Sequence, residues 1–368
     1  MARILYFTRD YTTHDHRFLT KLAQTEHQVY YLQLERRGHS LEDRPLPPQI
    51  ERITWAGGEV PAQWRDGLRL LVDLKRLIRR LKPDLIQAGP IQRSAFLVAL
   101  SGFQPLVSMS WGYDLLIDAE RNALWRWATR YTLKRSAALV GDCDTIRRIA
   151  VDYGMPDKRI VTFPWGIDLK HFSPGQPSTL KDQPFTFVIL STRGWEPIYG
   201  VDVIARAFAI AAVQRPELRL IMLGNGSQAA QLRQIFLGAK VEARVLFPGQ
   251  VRYEDLPRYF RMADLYLSAS HSDGTSISLL EAMACGRPAL VSDIPGNREW
   301  VQPGVNGWLF PDGDEKALAQ SLLNAIEQRQ RMPEMGSVAR QIAEQRADWE
   351  RNFPMLLRAY EMALNSPN

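Results

Sequence analysis

The sequence contains very little cysteine and no long apolar run. Cys143 and Cys285 are the only cysteines in 368 residues, too few for a disulfide framework or a structural zinc site. No window reaches the roughly 18 apolar residues that span a bilayer, and the N-terminus lacks the length and cleavage site of a signal peptide. We therefore expect a cytoplasmic protein, either free or lying on the cytoplasmic face of a membrane.

The composition is that of a folded protein with two domains. Hydrophobic residues make up 45% and charged residues 23% of the chain, which is typical of globular proteins, and 368 residues exceed one ordinary core. Residues 1–164 carry 25 Lys and Arg against 18 Asp and Glu, and residues 165–368 carry 21 against 22. The basic half favours an anionic partner such as a lipid surface or an acidic glycan, although ordinary solubilising charge explains it equally well. No recognition motif accompanies the charge, so nucleic acid is not expected as a partner.

Apolar runs alternate with helical periodicity in both halves of the chain, which predicts two doubly wound α/β domains. The strands are expected at 3–7, 28–32, 84–88, 105–110, 137–141, 185–191, 218–223, 244–249, 264–270 and 288–292. The helices are expected near 14–24, 63–82, 92–101, 120–135, 143–153, 200–214, 227–238, 276–285 and 315–330.

The pattern also predicts domain boundaries. Residues 1–164 form the first domain, a Pro-, Gly- and Ser-rich linker covers 165–184, and residues 185–345 form the second domain. Ligands of open α/β sheets bind beyond the carboxyl ends of the strands, so we expect a central cleft faced by both domains.

Two helices of the first half carry many basic residues. The segment 64–82 has leucines on one side and Arg and Lys on the other, and 121–135 places Trp125, Trp127 and Tyr131 among five basic residues. Either helix could contact a membrane surface, and the aromatic set of the second could stack on nucleic-acid bases. Packing of the apolar and aromatic residues in the core is the favoured interpretation for both.

The stretch SHSDGTSISLLEAMACG, residues 270–286, combines a loop with the start of an apolar helix. Gly274 allows a tight turn, and Thr275 or Ser276 can cap the helix, whose first N–H groups form a natural anion site. Asp273 precedes this helix start and Glu281 lies within the helix, so the two carboxylates could hold two hydroxyl-bearing parts of one ligand. Alternatively, Asp273 only caps the helix and Glu281 is solvated, although an acid between Leu280 and Met283 should have a partner or line a cleft.

The second half resembles a known enzyme family. The segments FPWGIDLKHFSP, STRGWEPIYGVDVIARAF, LGNGS, FPGQV and SDGTSISLLEAMACGRPALVSDIPGNREW occur in the order typical of retaining GT-B glycosyltransferases of family 4. The resemblance covers most of residues 160–325. It implies the GT-B fold, two Rossmann-like doubly wound domains around a central cleft, with residues 346–368 as a last helix that crosses back to the N-terminal domain.

The resemblance also implies roles for individual residues. Arg193 matches the arginine that binds the donor's diphosphate, Glu281 the acid that holds the ribose hydroxyls, and Asp273 the acid that orients the transferred sugar. Backbone amides of Gly274, Thr275 and Ser276 would contact the sugar and phosphate. Around Gln250 and Val251 the backbone would contact the base. No cofactor is implied, because the UDP- or GDP-sugar is a substrate, and no catalytic metal is implied, because family members of this fold generally work without one.

Two positions depart from the family pattern. Asp273 stands where the family usually has Glu, so its carboxylate reaches over 1 Å less far. The usual lysine of the Pro-x-Lys-Gly loop is absent, since Ile198 and Tyr199 occupy that loop. Half of an Arg/Lys clamp is missing, and either another base replaces it, or Tyr199 donates a hydrogen bond, or activity is weaker.

The first half offers fewer candidates. His14, Asp15 and His16 follow the first strand, where they could meet the acceptor or the sugar, although a lone histidine is more often structural. Asp114 in SWGYDLL follows another strand and is the best acid of this domain for the active site, or else a cap of the next helix.

The resemblance implies a retaining, metal-independent glycosyltransferase of cell-surface polysaccharide or glycoconjugate synthesis. It would move a sugar from a nucleotide-sugar donor to a glycan or lipid-linked acceptor, with possible peripheral contact with an anionic membrane. A sugar-nucleotide epimerase of the same fold and a catalytically silent nucleotide-sugar-binding subunit are the alternatives.

Overall fold

A computed structural model describes residues 1–36, 42, 44–175 and 186–365. The chain divides into two compact units. Unit 1 comprises Met1–Phe163 and Phe353–Asn368, and unit 2 comprises Pro164–Asn352. Residues 176–184 of the expected linker lie outside the described residues, whereas Ile167 and Phe172, also in the expected linker, are buried in a core cluster of unit 2.

Unit 1 contains a parallel sheet of seven strands. The strands are β1 (Arg3–Thr8), β2 (Gln28–Gln33), β3 (Glu51–Arg52), β4 (Leu85–Gly89), β5 (Leu106–Met109), β6 (Ala138–Gly141) and β7 (Ile160–Thr162), and their order is β3-β2-β1-β4-β5-β6-β7. The five predicted strands are confirmed, and the two edge strands, β3 and β7, were not predicted. Continuous apolar runs such as Ile4–Phe7 are buried on both faces, as parallel sheets require.

Helices cover the sheet of unit 1. They are α1 (Thr13–Leu22), α2 (Gly67–Leu81), α3 (Phe96–Ser101), α4 (Tyr113–Leu116), α5 (Ala123–Arg135) and α6 (Asp144–Asp152). The helix expected at 92–101 begins as a π-helical turn, Ile91–Ala95. In α5, Trp125 packs in the interior, but Trp127 is 50% exposed, so the expectation of core packing is wrong for Trp127.

Unit 2 contains a second parallel sheet, of six strands. The strands are β8 (Phe187–Ser191), β9 (Leu218–Leu223), β10 (Val245–Gly249), β11 (Leu265–Ser268), β12 (Ala289–Ser292) and β13 (Gly307–Phe310), in the order β10-β9-β8-β11-β12-β13. The helices are α7 (Val201–Gln214), α8 (Ala229–Gly238), α9 (Leu256–Met262), α10 (Ile277–Ala284), α11 (Pro295–Arg298), α12 (Glu315–Glu327), α13 (Met332–Arg346) and α14 (Trp349–Asn352). The predicted alternation of strands and helices is confirmed in both units, and α4 of unit 1 and β13, α9, α11 and α13 of unit 2 are additions to it.

The C-terminal segment differs from the single helix expected over 346–368. Residues up to Arg346 belong to α13, and a short α14 precedes the final helix α15 (Pro354–Leu364). Helix α15 packs in unit 1, where Leu356 and Tyr360 are buried and the Tyr360 hydroxyl donates a hydrogen bond to Gln87 on β4. A proline is disfavoured inside a helix but tolerated in its first turn, which explains why the helix starts anew at Pro354.

Candidate functional site

The strand order of unit 2 changes direction between β8 and β11, which are parallel neighbours. At such a switch point, the loops that follow the two neighbouring strands run in opposite directions. A crevice therefore opens at the carboxyl ends of these strands. Arg193 follows β8 and Asp273 follows β11. The fold therefore brings these two predicted residues, 80 positions apart in the sequence, to one place.

Arg193 and Asp273 form an ion pair. The Arg193 Nη2 atom lies 2.8 Å from Asp273 Oδ2, and both side chains are mostly buried. Arg193 Nε and Asp273 Oδ2 are buried, and neither has a partner that meets hydrogen-bond geometry within the described part of the chain. The short contact holds the two side chains together at the switch point.

Two further neighbours fix the Arg193 guanidinium. Arg193 Nη1 donates a hydrogen bond of 3.0 Å to Ser276 Oγ, and the guanidinium carbon lies 4.2 Å from the centre of the Tyr199 ring. Tyr199 therefore packs on Arg193 as a cation–π partner. It contributes no positive charge in place of the family's lysine.

The electrostatic environment keeps Arg193 charged. Burial works to lower the pKa of Arg193, but the Asp273 carboxylate beside it raises that pKa, and the net result lies above the usual value for arginine. Burial also raises the pKa of Tyr266, a shift that Arg193 opposes and Glu281 reinforces. The buried Tyr266 phenol therefore interacts electrostatically with both Arg193 and Glu281.

Helix α10 begins beside this pair. Ser276 occupies the N-cap position, but its hydroxyl makes no capping hydrogen bond within the described residues and instead accepts one from Arg193. The first N–H groups of a helix have no partners inside the helix. The expectation that Ser276 caps the helix with its side chain is therefore wrong, and the helix start keeps its capacity to bind an anion.

Glu281 lies in the second turn of α10. Its side chain is 7% exposed, between the fully buried Leu280 and Ala282. The alternative of a solvated Glu281 is therefore wrong. Its position in the helix that starts beside Arg193 and Asp273 keeps Glu281 a candidate for ligand contact.

The turn before α10 is built from closely packed backbone. Gly274 and Thr275 are buried, and a Cβ at Gly296, in α11, would lie 2.2 Å from the carbonyl oxygen of Gly274 and 2.5 Å from that of Asp273. Only glycine permits this approach of α11 to the turn. Gly296 thereby supports the backbone that carries Asp273, a role that the sequence analysis missed although the residue lies within the quoted family segment.

Gln250 and Val251 follow β10, which is an edge strand of the same sheet. Gln250 is exposed, while Val251 packs partly against the core. The loops after β8 and β9 are joined by a hydrogen bond from Trp195 N to Asn225 O, 2.9 Å long. Arg193, Gln250 and Asp273 therefore all follow carboxyl ends of strands in one sheet, as the sequence predicts.

The candidates of unit 1 separate into different environments. The His14 ring stacks on Trp111 with 5.9 Å between ring centres, and His16 Nδ1 lies 2.8 Å from the Tyr11 hydroxyl. Asp15 is fully buried as part of a capping box with Thr12, and burial raises its pKa to about 6. The three titratable residues of this segment therefore do not form one cluster.

Asp114 is also fully buried. Its carboxylate accepts hydrogen bonds from Ile91 N at 2.9 Å, Ser110 Oγ at 2.7 Å, and the amides of Trp111 and Leu115 at 3.1 Å each. Burial raises the pKa of Asp114 to about 6, although these hydrogen bonds work to lower it. Asp114 thus joins the loops that follow β4 and β5 and presents no exposed surface to a ligand.

The described ranges of the chain contain neither a candidate metal cluster nor a candidate membrane span. No group of three or more His, Cys, Asp or Glu side chains lies close enough to hold a metal ion there. In the same ranges, no helix is both long and apolar enough to cross a bilayer.

Comparison with known families identifies both units. Residues 177–342 match the family described as Glycosyl transferases group 1, and residues 12–171 match the one described as Glycosyltransferase Family 4. The chain belongs to the family 4 glycosyltransferases. The resemblance inferred from its motifs is thereby confirmed.

Curated relatives of this glycosyltransferase act on different substrates. A GDP-mannose-dependent monoacylated α-(1-6)-phosphatidylinositol monomannoside mannosyltransferase of Corynebacterium glutamicum is 25% identical over 72% of this chain and 71% of its own length. A D-inositol 3-phosphate glycosyltransferase of Geodermatophilus obscurus is 28% identical over 60% of this chain. That alignment spans 51% of the relative, about half its length.

Solved structures show the same fold. HepE of Anabaena, in complex with UDP-glucose, has a TM-score of 0.79 at 21% identity, covering 98% of this chain and 100% of its own. Sucrose-phosphate synthase of Thermosynechococcus elongatus has a TM-score of 0.80 at 17% identity, covering 98% of each chain. The predicted GT-B fold with two Rossmann-like domains is confirmed.

Proposed function

We propose that this chain is a retaining glycosyltransferase that moves a sugar from a nucleotide-sugar donor to a glycan or lipid-linked acceptor in polysaccharide or glycoconjugate synthesis. The observation that carries the proposal is the Arg193–Asp273 ion pair beside the uncapped start of α10. A cation, a helix start and a carboxylate meet there at the switch point of unit 2. These groups suit a diphosphate linked to a sugar.

Negative charge grows on the nucleoside diphosphate as the bond to the sugar breaks. The Arg193 guanidinium, held by Ser276 and Tyr199, is aligned before the reaction starts, so little reorganisation is needed. The hydroxyl of Ser276 accepts from Arg193 and keeps its own proton to donate to a phosphate oxygen. Together with the amides at the start of α10, these groups stabilise the leaving group more than the bound donor.

The two acids divide the donor between them. Asp273 orients the sugar that is transferred, and Glu281 accepts hydrogen bonds from the ribose hydroxyls. Gln250 and Val251 contribute backbone contacts to the base. The base of the donor is proposed to be uracil or guanine, because the similar proteins include a GDP-mannose-dependent enzyme and a structure in complex with UDP-glucose.

The acceptor is proposed to bind unit 1. His14 follows β1 at the switch point of the seven-stranded sheet, between β1 and β4, where an acceptor hydroxyl would approach. Asp114 acts as a positioning residue, because its buried carboxylate fixes the loops after β4 and β5. No catalytic metal takes part in this proposal, since Arg193 and the helix start provide the positive charge.

Donor consumption is the experiment that tests the proposal. UDP, GDP and ADP and their common sugars are first screened by thermal shift, because a bound ligand raises stability by mass action. The sugar nucleotide that binds is then followed by NMR with and without candidate acceptors. Consumption that depends on acceptor and yields a product of retained anomeric configuration is expected. Isomerisation without acceptor would identify an epimerase, and binding without turnover a silent subunit.

Asp273, the acid that is shorter than the glutamate usual in the family, can be tested with the same set of sugar nucleotides. Asp273→Glu restores the length usual in the family and keeps the charge that pairs with Arg193. We expect the ratio of kcat/KM values between sugar donors to change by about tenfold, while affinity for the free nucleoside diphosphate stays within about twofold. An unchanged sugar preference would show that Asp273 does not contact the transferred sugar.

A further inference from the structure

An apolar groove lies on unit 1 between α2 and α3. Its volume is about 350 Å³, within the range of sites that hold small molecules. Aliphatic and aromatic side chains form most of its walls, among them Leu34, Leu70, Leu71, Phe96, Leu97 and Leu100. The groove is therefore suited to a hydrocarbon chain and not to a sugar ring, which needs polar walls.

The rim of the groove exposes further apolar surface. Leu68 at its edge is 75% exposed, and Val72 one turn further along α2 is 42% exposed. Trp127 of α5 is 50% exposed and packs on Phe96 with 5.5 Å between ring centres. Exposed apolar side chains beside an apolar groove are consistent with a binding surface.

One part of the groove wall is polar, and it lies just after the carboxyl end of β4. Arg93 and Gln92 line the groove there. The Arg93 guanidinium lies 5.5 Å from the centre of the Trp125 ring, and no carboxylate of the described residues is within ion-pair distance of it. Gln92 is 2% exposed, and its Oε1 atom has no hydrogen-bond partner in the same described ranges. This wall therefore offers a positive charge and a free acceptor.

A second guanidinium lies near Arg93. Burial lowers the pKa of Arg93, the Arg9 guanidinium lowers it further, and Glu35 and Asp118 partly oppose this shift. Arg9 follows β1, the strand beside β4, and has Glu35 as its own partner. A phosphate on Arg93 would relieve the repulsion between the two guanidinium groups.

We propose that the groove binds the hydrocarbon chain of a lipid acceptor whose phosphate lies on Arg93 and whose headgroup hydroxyl donates to Gln92 Oε1. The exposed rim and the basic residues of α2, such as Arg69 and Lys75, would then rest on an anionic membrane, from which the chain enters. The inference deepens the proposed function, on which it rests, by naming the acceptor class.

Binding of alkyl phosphates, measured by isothermal titration below their micellar concentration, tests the groove without catalysis. Affinity should rise about fourfold for each added methylene until the groove is filled, as for apolar burial. Dodecyl phosphate should bind at least tenfold more tightly than dodecyl maltoside or inorganic phosphate. Equal binding of dodecyl maltoside would overturn the assignment of the phosphate to Arg93, and an affinity independent of chain length would overturn the groove.

Two matched pairs of variants locate the ligand. A Cβ at Gly67, which lines the groove, meets no heavy atom within 4 Å, so Gly67→Phe should fill the groove while Gly67→Ala leaves it open. We expect Gly67→Phe to weaken dodecyl phosphate binding at least tenfold and Gly67→Ala to change it less than twofold. Arg93→Gln should remove the preference for phosphate. Arg121→Gln should not, although Arg121 packs over the same Trp125 ring at 5.2 Å.

Vesicles test the membrane as the source of the chain. The wild-type protein should co-sediment with phosphatidylglycerol vesicles, and Gly67→Phe should bind these vesicles at least tenfold more weakly. Equal binding of the two proteins would contradict entry of the hydrocarbon chain from the bilayer.

Nucleotide titration of the same proteins separates the two proposals, because the residues proposed to bind the donor lie in unit 2. Gly67→Phe with intact nucleotide binding and no alkyl phosphate binding supports the groove. A wild-type protein that binds alkyl phosphate but no nucleotide refutes the proposed function alone.

Discussion

The guanidinium of Arg193 has a carboxylate, a hydroxyl and an aromatic ring as neighbours, contributed by Asp273, Ser276 and Tyr199. Each neighbour restricts the orientation of a side chain that otherwise has many rotamers. The lysine that the family usually adds is absent, so Arg193 is the one cationic side chain that this account assigns to the donor's diphosphate. Its removal should therefore have a large effect on turnover.

We expect Arg193→Ala to lower kcat by about 10² to 10³, as for other groups that stabilise transition-state charge. The dissociation constant for the nucleoside diphosphate should rise by a smaller factor, since the charge is greatest in the transition state. Steady-state kinetics and titration measure the two effects. Arg215→Ala, which breaks an exposed pair with Glu327, serves as the control, and equal losses of kcat and affinity in Arg193→Ala would refute the catalytic role.

Asp114 has a folded-state pKa of about 6, raised by burial from 3.8. A raised carboxyl pKa means that the folded state binds more protons than the unfolded state between these values. The contribution of Asp114 to the free energy of unfolding therefore falls as pH rises from about 4 to about 6, by on the order of 3 kcal/mol. Asp15 has a similar pKa of about 6 and should act in the same direction.

The variant Asp114→Asn isolates this effect, since the amide does not titrate. Chemical denaturation of wild type and variant across pH 4 to 7 should show that their stability difference depends on pH. The variant should lose more stability relative to wild type at pH 4 than at pH 7. A difference that is constant across this range would mean that Asp114 titrates at its ordinary pKa.

The turn that carries Asp273 depends on the approach of α11. We expect Gly296→Ala to push the Asp273–Gly274 backbone away, because its Cβ would lie 2.2 Å from the Gly274 carbonyl oxygen. Transferase activity should fall at least tenfold while circular dichroism shows an intact fold. Gly238→Ala in α8 is the matched control, since a Cβ there meets nothing within 4 Å and should stabilise the helix by about 1 kcal/mol. Full activity in Gly296→Ala would mean that the turn tolerates the displacement.

The elements that the sequence predicts well are those with a continuous apolar run or a clear helical period. Strand β9 was predicted at its observed bounds, Leu218–Leu223. Strand β3 has only two residues, both exposed, so no apolar pattern could indicate it. The residues proposed to bind the donor could be named because the family motif fixes their spacing. The diversion of the Ser276 hydroxyl from the helix cap to Arg193 depends on a loop 83 residues away in the sequence, which no local pattern reveals.

At the scale of the whole molecule, the chain leaves unit 1 after Phe163 and returns to it at Phe353. The returning helix α15 is held by buried apolar residues and by the hydrogen bond from Tyr360 to Gln87. We expect Tyr360→Phe to lower the free energy of unfolding by about 1–3 kcal/mol, because the Gln87 acceptor is left buried without this donor. Nucleotide affinity should not change, since the residues proposed to bind the donor belong to unit 2. A loss of affinity would contradict that separation.

The central claim is that the start of α10 and its two acids bind a nucleotide sugar. The most direct test is a titration of UDP and GDP into wild type and Glu281→Gln, with Glu327→Gln, an exposed acid of the same unit, as the control. We predict that one nucleotide binds the wild type and the control alike and binds Glu281→Gln about tenfold to a hundredfold more weakly, as expected for a lost charged hydrogen bond. Equal affinity of all three proteins would remove Glu281 from the site and contradict the account.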